Sequence, residues 1–378
     1  MWKAALDFGV LGPLQMTADG ISVPLGAPKQ RAVLAMLVIN RNRPVSVDAL
    51  IDGVWDHAPV PAARAGIHSY VSRLRGLVSN AGHDPNTVLA SAPPGYQLSV
   101  ADADCDLGRF ITEKGAGVHA AAAGRFENAS SHLSAALAEW RGPVLDDLRD
   151  FGFVDAFATA LLEDKVVAHT ALAEAEIACG RGYSVIGALE GLVAEYPFRE
   201  QLWVQLMTAY YVAERQSDAL DAYRRLKANL AENLGIDPGR TVSALHERIL
   251  RQEPLDIKGT AQTTAQHAAV DLGPHTATTL AGQSAIAQLR GKDGRRYRLE
   301  VSTRIGRRPD NDIVLDDDDV SRYHAVIIDT GSSFVISDLR STNGVLVGGR
   351  RIRPSATLAD GDHIRIGGHE FTFQISAR

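Results

Sequence analysis

The sequence predicts a multidomain chain that mixes α and β parts in three successive units: a small α+β unit, an all-α unit and an all-β sandwich. Three observations carry this expectation. The chain has 378 residues, more than the roughly 250 that one hydrophobic core ordinarily serves. Its hydrophobic periodicity changes twice. Residues 1–105 alternate short β-like runs with helical patterns, 106–253 are Ala- and Leu-rich at helical spacing, and 286–378 return to short strands between turn residues. Pro254 to Ala285, rich in Ala, Thr, Gln and Gly without an aromatic residue, reads as a flexible linker, because it offers too little apolar surface to offset chain entropy. Within it Thr263, Thr264 and Thr278 would be open to a kinase.

Composition narrows the function classes. Hydrophobic residues make up 45% and charged residues 22% of the chain, ordinary values for a globular protein. No long uncharged apolar run suggests a spanning helix. Asp7 interrupts any signal-peptide core near the start, so a cytoplasmic protein is expected. Two cysteines, Cys105 and Cys179, exclude a disulfide framework and a cysteine zinc site. The net charge of −6 gives by itself no reason to expect nucleic acid. It is unevenly spread: residues 1–105 sum to 0, 106–288 to −8 and 289–378 to +2. A neutral first unit predicts modest, sequence-dependent affinity for such a partner rather than strong non-specific binding.

In the first unit, Leu6 to Leu14 and Ile21 to Leu25 read as strands joined by a turn at Asp19-Gly20. Pro28 opens a helix along which Val33, Leu34, Leu37 and Val38 face inward, with Lys29 and Arg31 outside. Ser46 is suited to cap a second helix that carries Leu50, Ile51, Val54 and Trp55. In a third helix, from about Ala62 to Ser79, Ile67, Val71, Leu74 and Val78 form one stripe. The opposite face presents Ala65, Ser69, Ser72 and Gly76, bordered by His68, Arg75 and Arg73. Small residues let a helix sit deep in a groove, and arginine reaches phosphates or the acceptor edge of guanine. Val88 to Ala90 and Tyr96 to Val100, with Pro93-Pro94-Gly95 between them, read as a hairpin. Strand, three helices and hairpin together favour DNA binding over an ordinary solvated helix face. Gly66, inside the third helix, costs about 1 kcal/mol against Ala and suggests close contact with a neighbouring helix.

Leu11-Gly12-Pro13, Lys29-Gln30-Arg31, Leu50 to Trp55, Tyr70 to Arg75 and Pro94-Gly95-Tyr96 resemble the winged-helix domain of actinobacterial SARP-type regulators, a fold similar to the OmpR-type effector domain. The resemblance implies a recognition helix in the major groove and a wing near the backbone. The DNA-binding residues expected are Lys29, Arg31, His68, Ser69, Ser72, Arg73 and Arg75.

In the second unit, segments starting at Gly124, Gly180 and Glu214 each place an arginine between two helical runs. Gly180 and Glu214 lie 34 residues apart, the tetratricopeptide (TPR) period. Trp203, Tyr210, Tyr211 and Tyr223 read as packing residues, and His119, His132, His169 and His246 lack metal-ligand spacing. Cys105 to Phe110, Trp140 to Pro143 and Leu230 to Gly239 resemble the bacterial transcriptional activation domain (BTAD) of the same regulators. That resemblance implies protein contact, with RNA polymerase or a second copy.

In the third unit, many short strands with regular turns argue a β-sandwich. Strands are expected at Arg298 to Ser302, Ile313 to Leu315, Ala325 to Asp329, Ser333 to Ser337, Val345 to Val347, Ile364 to Ile366 and Glu370 to Ile375, with a turn at Gly331. Three loop signals stand in order: Gly306-Arg307, Ser321-Arg322-Tyr323-His324 and Thr342-Asn343-Gly344. Arg307 offers a planar fork of donors to a phosphate, Ser321 offers a hydroxyl, and the Asn343 amide can both donate to and accept from a peptide main chain. With Asp310 to Leu315, these resemble a forkhead-associated (FHA) domain. The resemblance implies a phosphothreonine ligand held by Arg307 and Ser321, with Arg322 as a second contact, Thr342 supporting the phosphate loop, Asn343 on the peptide backbone and His324 ordering the loops. Asp316 to Asp319 lacks the Gly and closing Glu of an EF-hand and reads as a solvated loop that repels acidic peptides.

Together these resemblances imply a DNA-binding transcriptional regulator that reads Ser/Thr kinase signalling. Its partners would be promoter DNA, a phosphorylated kinase or other phosphothreonine protein, and RNA polymerase. The whole chain resembles the SARP type that controls arabinosyltransferase genes. The alternative is a phosphopeptide-binding adaptor or kinase inhibitor with little or no DNA role. An enzyme is disfavoured, since no phosphate-binding loop or nucleophile elbow occurs, and no cofactor or metal is implied.

Overall fold

The computed structural model describes residues 5–55, 60–280, 286–300, 302–309, 311–330, 333–339, 341–352 and 355–376, with the side chains of 270–280, 286 and 376 left aside. Asp310 and Gly331 lie outside these residues. Packing divides the chain into two compact units, one of Met1–Thr112, Ala138–Asp164 and Leu272–Arg378, the other of Glu113–Leu137 and Lys165–Asp271.

The first unit begins with an antiparallel sheet of β1 (Leu6–Gly9), β2 (Gln15–Ala18) and β3 (Ile21–Ser22). The long strand expected over Leu6 to Leu14 is broken, because residues 10–14 turn back and β1 pairs with β2 from Leu6↔Ala18 to Gly9↔Gln15. The turn is held by Asp106, only 2% exposed, whose carboxylate accepts the N–H groups of Val10 and Leu11, both at 2.9 Å. Arg141 donates to the same carboxylate at 3.1 Å, and Leu107 N–H at 2.7 Å. Burial pushes the Asp106 carboxyl above its usual range, against the pull of these donors. The Cys105 to Phe110 and Trp140 to Pro143 motifs thus share a local reason: they supply the carboxylate and the guanidinium of one buried bolt. Cys105 itself is buried, and burial pushes its thiol up to about 11, so it packs rather than reacts.

Three helices follow: α1 (Pro28–Ile39), α2 (Val47–Trp55) and α3 (Ala63–Asn80), with β4 (Val45–Ser46) between the first two. The Ser46 hydroxyl accepts Ala49 N–H at 3.0 Å, a cap as expected. Ile67, Val71, Leu74 and Val78 of α3 are buried. A Cβ at Gly66 would stand 3.1 Å from the Trp55 ring, so the helix-weakening glycine admits α2. A short helix, α4 (Pro85–Val88), leads to the wing, in which β5 (Leu89–Ala92) and β6 (Gly95–Leu98) pair with β4 in the order β4-β6-β5.

The second unit takes in part of α5 (Asp106–Ala122), α6 (Phe126–Ala138) and α7 (Gly152–Ala178), then α8 (Gly182–Glu195), α9 (Glu200–Val212), α10 (Gln216–Leu234) and α11 (Arg240–Leu250). Its core gathers Leu189, Leu202, Trp203, Leu206, Leu226 and Ile249. The repeated arginines sit where helices begin. Arg181 precedes α8 and reaches Glu176 at 2.7 Å, while Arg215 precedes α10 and reaches Asp218 at 2.8 Å. Trp203 donates its indole N–H to Pro197 O at 2.9 Å, and Tyr210 donates to Glu190 at 2.7 Å, so these aromatics pack as expected. Burial pushes His169 down to about 4, which keeps it neutral at pH 7.

Glu176 carries a testable consequence. Arg181 chiefly, then Ser130 and Ser184, hold its carboxyl down at about 2 against an ordinary 4.5. A depressed carboxylate contributes stability above its unfolded value and loses it as pH falls through the folded one. Urea unfolding followed from pH 4.5 to pH 2 should show a loss of about 2–3 kcal/mol that Glu176→Gln removes. An identical pH dependence in the variant would reject this assignment.

The expected linker over 254–285 is a correction. Ile257–Leu280 forms a helix, α12, and 281–285 lie outside the described residues. Ala261 and Ala265 are buried against Ala120, Ala129, Ala175 and Ala178. Small side chains let helix backbones approach closely, a route to burial that counting bulky residues overlooks. The Thr263 and Thr264 hydroxyls donate to Gly259 O and Thr260 O at 2.9 and 3.0 Å along this helix. The side chain of Thr278 is outside the description.

The sandwich belongs to the first unit. Its strands are β7 (Ile286–Gly291), β8 (Arg296–Arg298), β9 (Ser302–Gly306), β10 (Ile313–Val314), β11 (Ala325–Asp329), β12 (Phe334–Asp338), β13 (Val345–Val347), β14 (Arg350–Arg351), β15 (Ser355–Leu358), β16 (His363–Ile366) and β17 (His369–Ser376). They form two sheets, β10-β9-β11-β12-β15 and β14-β13-β16-β17-β7-β8, closed over Leu289, Ile305, Ile327, Phe334 and Phe373. The strand expected at Arg298 to Ser302 is divided between β8 and β9. The winged helix and this sandwich lie in one unit and are joined by polar contacts: Arg43 to the buried Asp329 at 2.8 Å and Arg304 to Asp52 at 3.8 Å. Ser355 donates to Glu163 at 3.0 Å in the same unit.

Candidate functional site

Three loops at one end of the sandwich converge. β9 ends at Gly306, where a Cβ would stand 2.4 Å from the Arg322 carbonyl, so only glycine permits the approach. Arg307 follows, and its N–H donates to Ser321 O at 3.0 Å. The Ser321 hydroxyl oxygen accepts Thr342 N–H at 3.1 Å, and Asn343 Nδ2 donates to Asp319 O at 2.9 Å. Four of the five residues expected at this site are thereby brought together. The fifth, Arg322, has an exposed side chain, while its carbonyl accepts Asn311 Nδ2 at 2.9 Å.

His324 is fully buried and links the loops from beneath: its Nδ1 accepts Ser321 N–H at 3.0 Å and its Nε2 lies 3.1 Å from Gly344 O. An imidazole that accepts at Nδ1 carries its proton on Nε2, so the ring donates to Gly344 as the neutral tautomer. Two supporting residues had no role assigned from sequence, Asn311 within the Asp310 to Leu315 motif and Ser341 outside it. Asn311, 6% exposed, also donates to Arg308 O at 2.9 Å, and the Ser341 hydroxyl accepts Gly344 N–H at 2.9 Å. A small polar residue three positions before a turn glycine is the signal that could have found Ser341.

The acidic loop is exposed at Asp316, Asp318 and Asp319, as expected, and it also makes contacts that the sequence reading did not assign. Asp317 accepts Asp319 N–H at 2.9 Å and Gly368 N–H at 3.1 Å, and these two donors, the first more strongly, hold its carboxyl below the usual range. Asp318 pairs with Arg307 at 2.5 Å while itself almost fully exposed.

On the winged helix, Ser69, Ser72 and Arg73 are exposed on α3, and so is Arg64, one turn before His68 on the same helical face. Sequence reading passed over Arg64, although the 3.6-residue period reaches it; its guanidinium pairs with Asp48. The other expected DNA contacts are engaged within the protein. Arg75 donates to Leu89 O and Ser91 Oγ, each at 3.0 Å, and so ties α3 to the wing. His68 Nδ1 lies 2.6 Å from the Tyr96 hydroxyl, and Lys29 stands 4.6 Å from the centre of the Trp55 ring. Arg31 pairs with Asp147 at 2.8 Å, half-buried. For Arg31 and Arg75 this corrects the outward placement expected from helical periodicity: a nearby carboxylate and a strand carbonyl capture the guanidinium groups.

Comparison with known proteins finds three family matches. Residues 23–98 match the family described as transcriptional regulatory protein, C terminal; residues 105–250 the bacterial transcriptional activator domain; and residues 303–367 the FHA domain. The chain is 67% identical over 374 residues to the transcriptional regulatory protein EmbR of Mycobacterium tuberculosis, covering 98% of this chain and 96% of that protein. It is 53% identical over 253 residues to MoaR1 of the same organism, covering 67% of this chain and 81% of that protein. The solved structure of M. tuberculosis EmbR in complex with a low-affinity phosphopeptide superposes with a TM-score of 0.95 at 66% identity, over 99% of both chains. Among the described residues no helix is long and apolar enough to cross a membrane. The chain therefore belongs to the SARP family of transcriptional regulators, in the EmbR type that carries a C-terminal FHA domain.

Proposed function

We propose that this regulator binds promoter DNA through α3 and its wing, and that docking of a phosphothreonine protein at the FHA loops governs that binding. The observation that carries the reading is the convergence of Arg307, Ser321, Thr342 and Asn343 over the buried His324. Arg307 supplies the charge-assisted bonds to phosphate, and the Ser321 hydroxyl, whose oxygen already accepts Thr342 N–H, donates its proton to the same group. Asn343, pinned by its Nδ2, offers Oδ1 to a peptide N–H. Arg322 adds a second cation at the rim. The EmbR complex with a phosphopeptide supports this ligand class.

On α3, Ser69, Ser72 and Arg73 meet the groove, while Arg75, His68, Lys29 and Arg31 fix the helix and wing that present them. Arg73→Ala should weaken promoter binding several-fold and lower the salt slope of log K by about 1, read by anisotropy over a salt series. An unchanged slope would remove Arg73 from the phosphate contacts. The helical domain presents a surface to RNA polymerase. A gel shift of the full chain on arabinosyltransferase promoters, with phosphorylated and with dephosphorylated kinase, tests the whole reading. Equal shifts with both kinase forms would reject phosphorylation control.

A further inference from the structure

The helical unit holds a cavity of about 270 Å³ that the proposed function leaves unused. Its walls come from α7, α9, α11 and the start of α12, so the helix that replaces the expected linker completes it. The lining is largely apolar, with Ile177, Val204, Leu245 and Ile257, and a few polar groups that include Glu174 and Thr208. This is the composition of a small-molecule pocket, an apolar body with a few orienting groups.

Glu174 is the unusual feature. Its Oε1 accepts Gln205 Nε2 at 2.8 Å, and Gln205 is itself only 7% exposed. Burial pushes the carboxyl up to about 7, with the Gln205 hydrogen bond as the opposing influence. The other charged groups lining the cavity are engaged elsewhere. Arg248 donates to Pro254 O at 2.8 Å and lies 3.6 Å from Glu253, and Asp256 accepts Gly259 N–H at 3.0 Å. Among the described residues no ion pair reaches Glu174, and a carboxyl facing a largely apolar cavity is a site for a cation brought by a ligand.

We infer that this cavity binds a small apolar amine, an alkyl or aryl ammonium whose charge pairs with Glu174 while its hydrocarbon body fills the space between α9, α11 and α12. The ligand bridges α12 to the rest of the unit. Binding converts the protonated fraction of Glu174 to carboxylate and releases that proton to solvent.

The test is titration calorimetry of the full chain at pH 7 with phenethylamine, benzylamine and cyclohexylamine, in two buffers of different ionisation enthalpy, and with 2-phenylethanol as the neutral counterpart. With the carboxyl at about 7, about half a proton should be released per amine bound. The alcohol should bind at least about tenfold more weakly than phenethylamine. Glu174→Gln, which mimics the protonated acid and keeps the fold, should abolish both the preference and the proton release. Ala244→Phe, at the exposed rim, should block the amine without altering Glu174. Failure of all three amines to bind, or equal binding to Glu174→Gln, overturns the inference.

Discussion

Arg307→Ala should lower affinity for a phosphothreonine peptide by at least about a hundredfold, or about 3 kcal/mol, the loss of two charge-assisted hydrogen bonds. The sandwich should remain folded, because Arg307 lies on an exposed loop and its backbone N–H, which bonds Ser321 O at 3.0 Å, survives the change. In the unliganded chain Arg307 rests on Asp318. That surface pair is worth about 0–1 kcal/mol, so a phosphate dianion displaces it. Calorimetry with the phosphorylated and unphosphorylated forms of one kinase loop reads the effect. Wild-type affinity that ignores the phosphate, or a variant that binds as well as the parent, would refute phosphate recognition by Arg307.

Asp106→Ala should destabilise the first unit by about 3–5 kcal/mol. The carboxylate is 2% exposed and accepts from four nitrogen donors, the N–H groups of Val10, Leu11 and Leu107 and the Arg141 guanidinium. Truncation leaves the buried N–H groups of Val10 and Leu11 without this acceptor, each at a desolvation penalty, and removes the Arg141 ion pair. Asp106→Asn keeps one carbonyl acceptor and should lose less. Urea midpoints of the two variants, followed by tryptophan fluorescence, give the order. A midpoint for Asp106→Ala equal to wild type would show that the turn after β1 is held by other contacts.

Much of the molecule was legible because its signals are local. The stripe of Ile67, Val71, Leu74 and Val78 marks the buried face of α3, and all four are buried. Gly306-Arg307, Ser321 to His324 and Thr342-Asn343 mark the FHA loops, because each loop needs its own turn chemistry whatever its neighbours do. What local signals missed has long-range causes. Arg75 has the helical phase of a DNA contact, but the Leu89 carbonyl and Ser91 hydroxyl of the wing lie within its reach. Arg31 has an outward phase too, but Asp147, more than a hundred residues later, captures it. Helical phase tells which way a Cβ points, and it cannot tell where a long flexible side chain ends.

The stretch after Pro254 shows the same division. Its composition lacks bulky apolar residues, and by that measure it should not fold. Alanines on α5, α6 and α7 make a surface that accepts Ala261 and Ala265 at close range, and that surface exists only once those helices are packed. The sequence by itself determined the three kinds of unit, the buried stripes and the loop residues that converge in the FHA domain, since periodicity and turn chemistry act over a few residues. The tertiary structure alone decided which arginines remain at the surface, that Ile257–Leu280 is a helix, and that Glu174 faces a cavity, because each depends on atoms distant in sequence that share one low-dielectric environment.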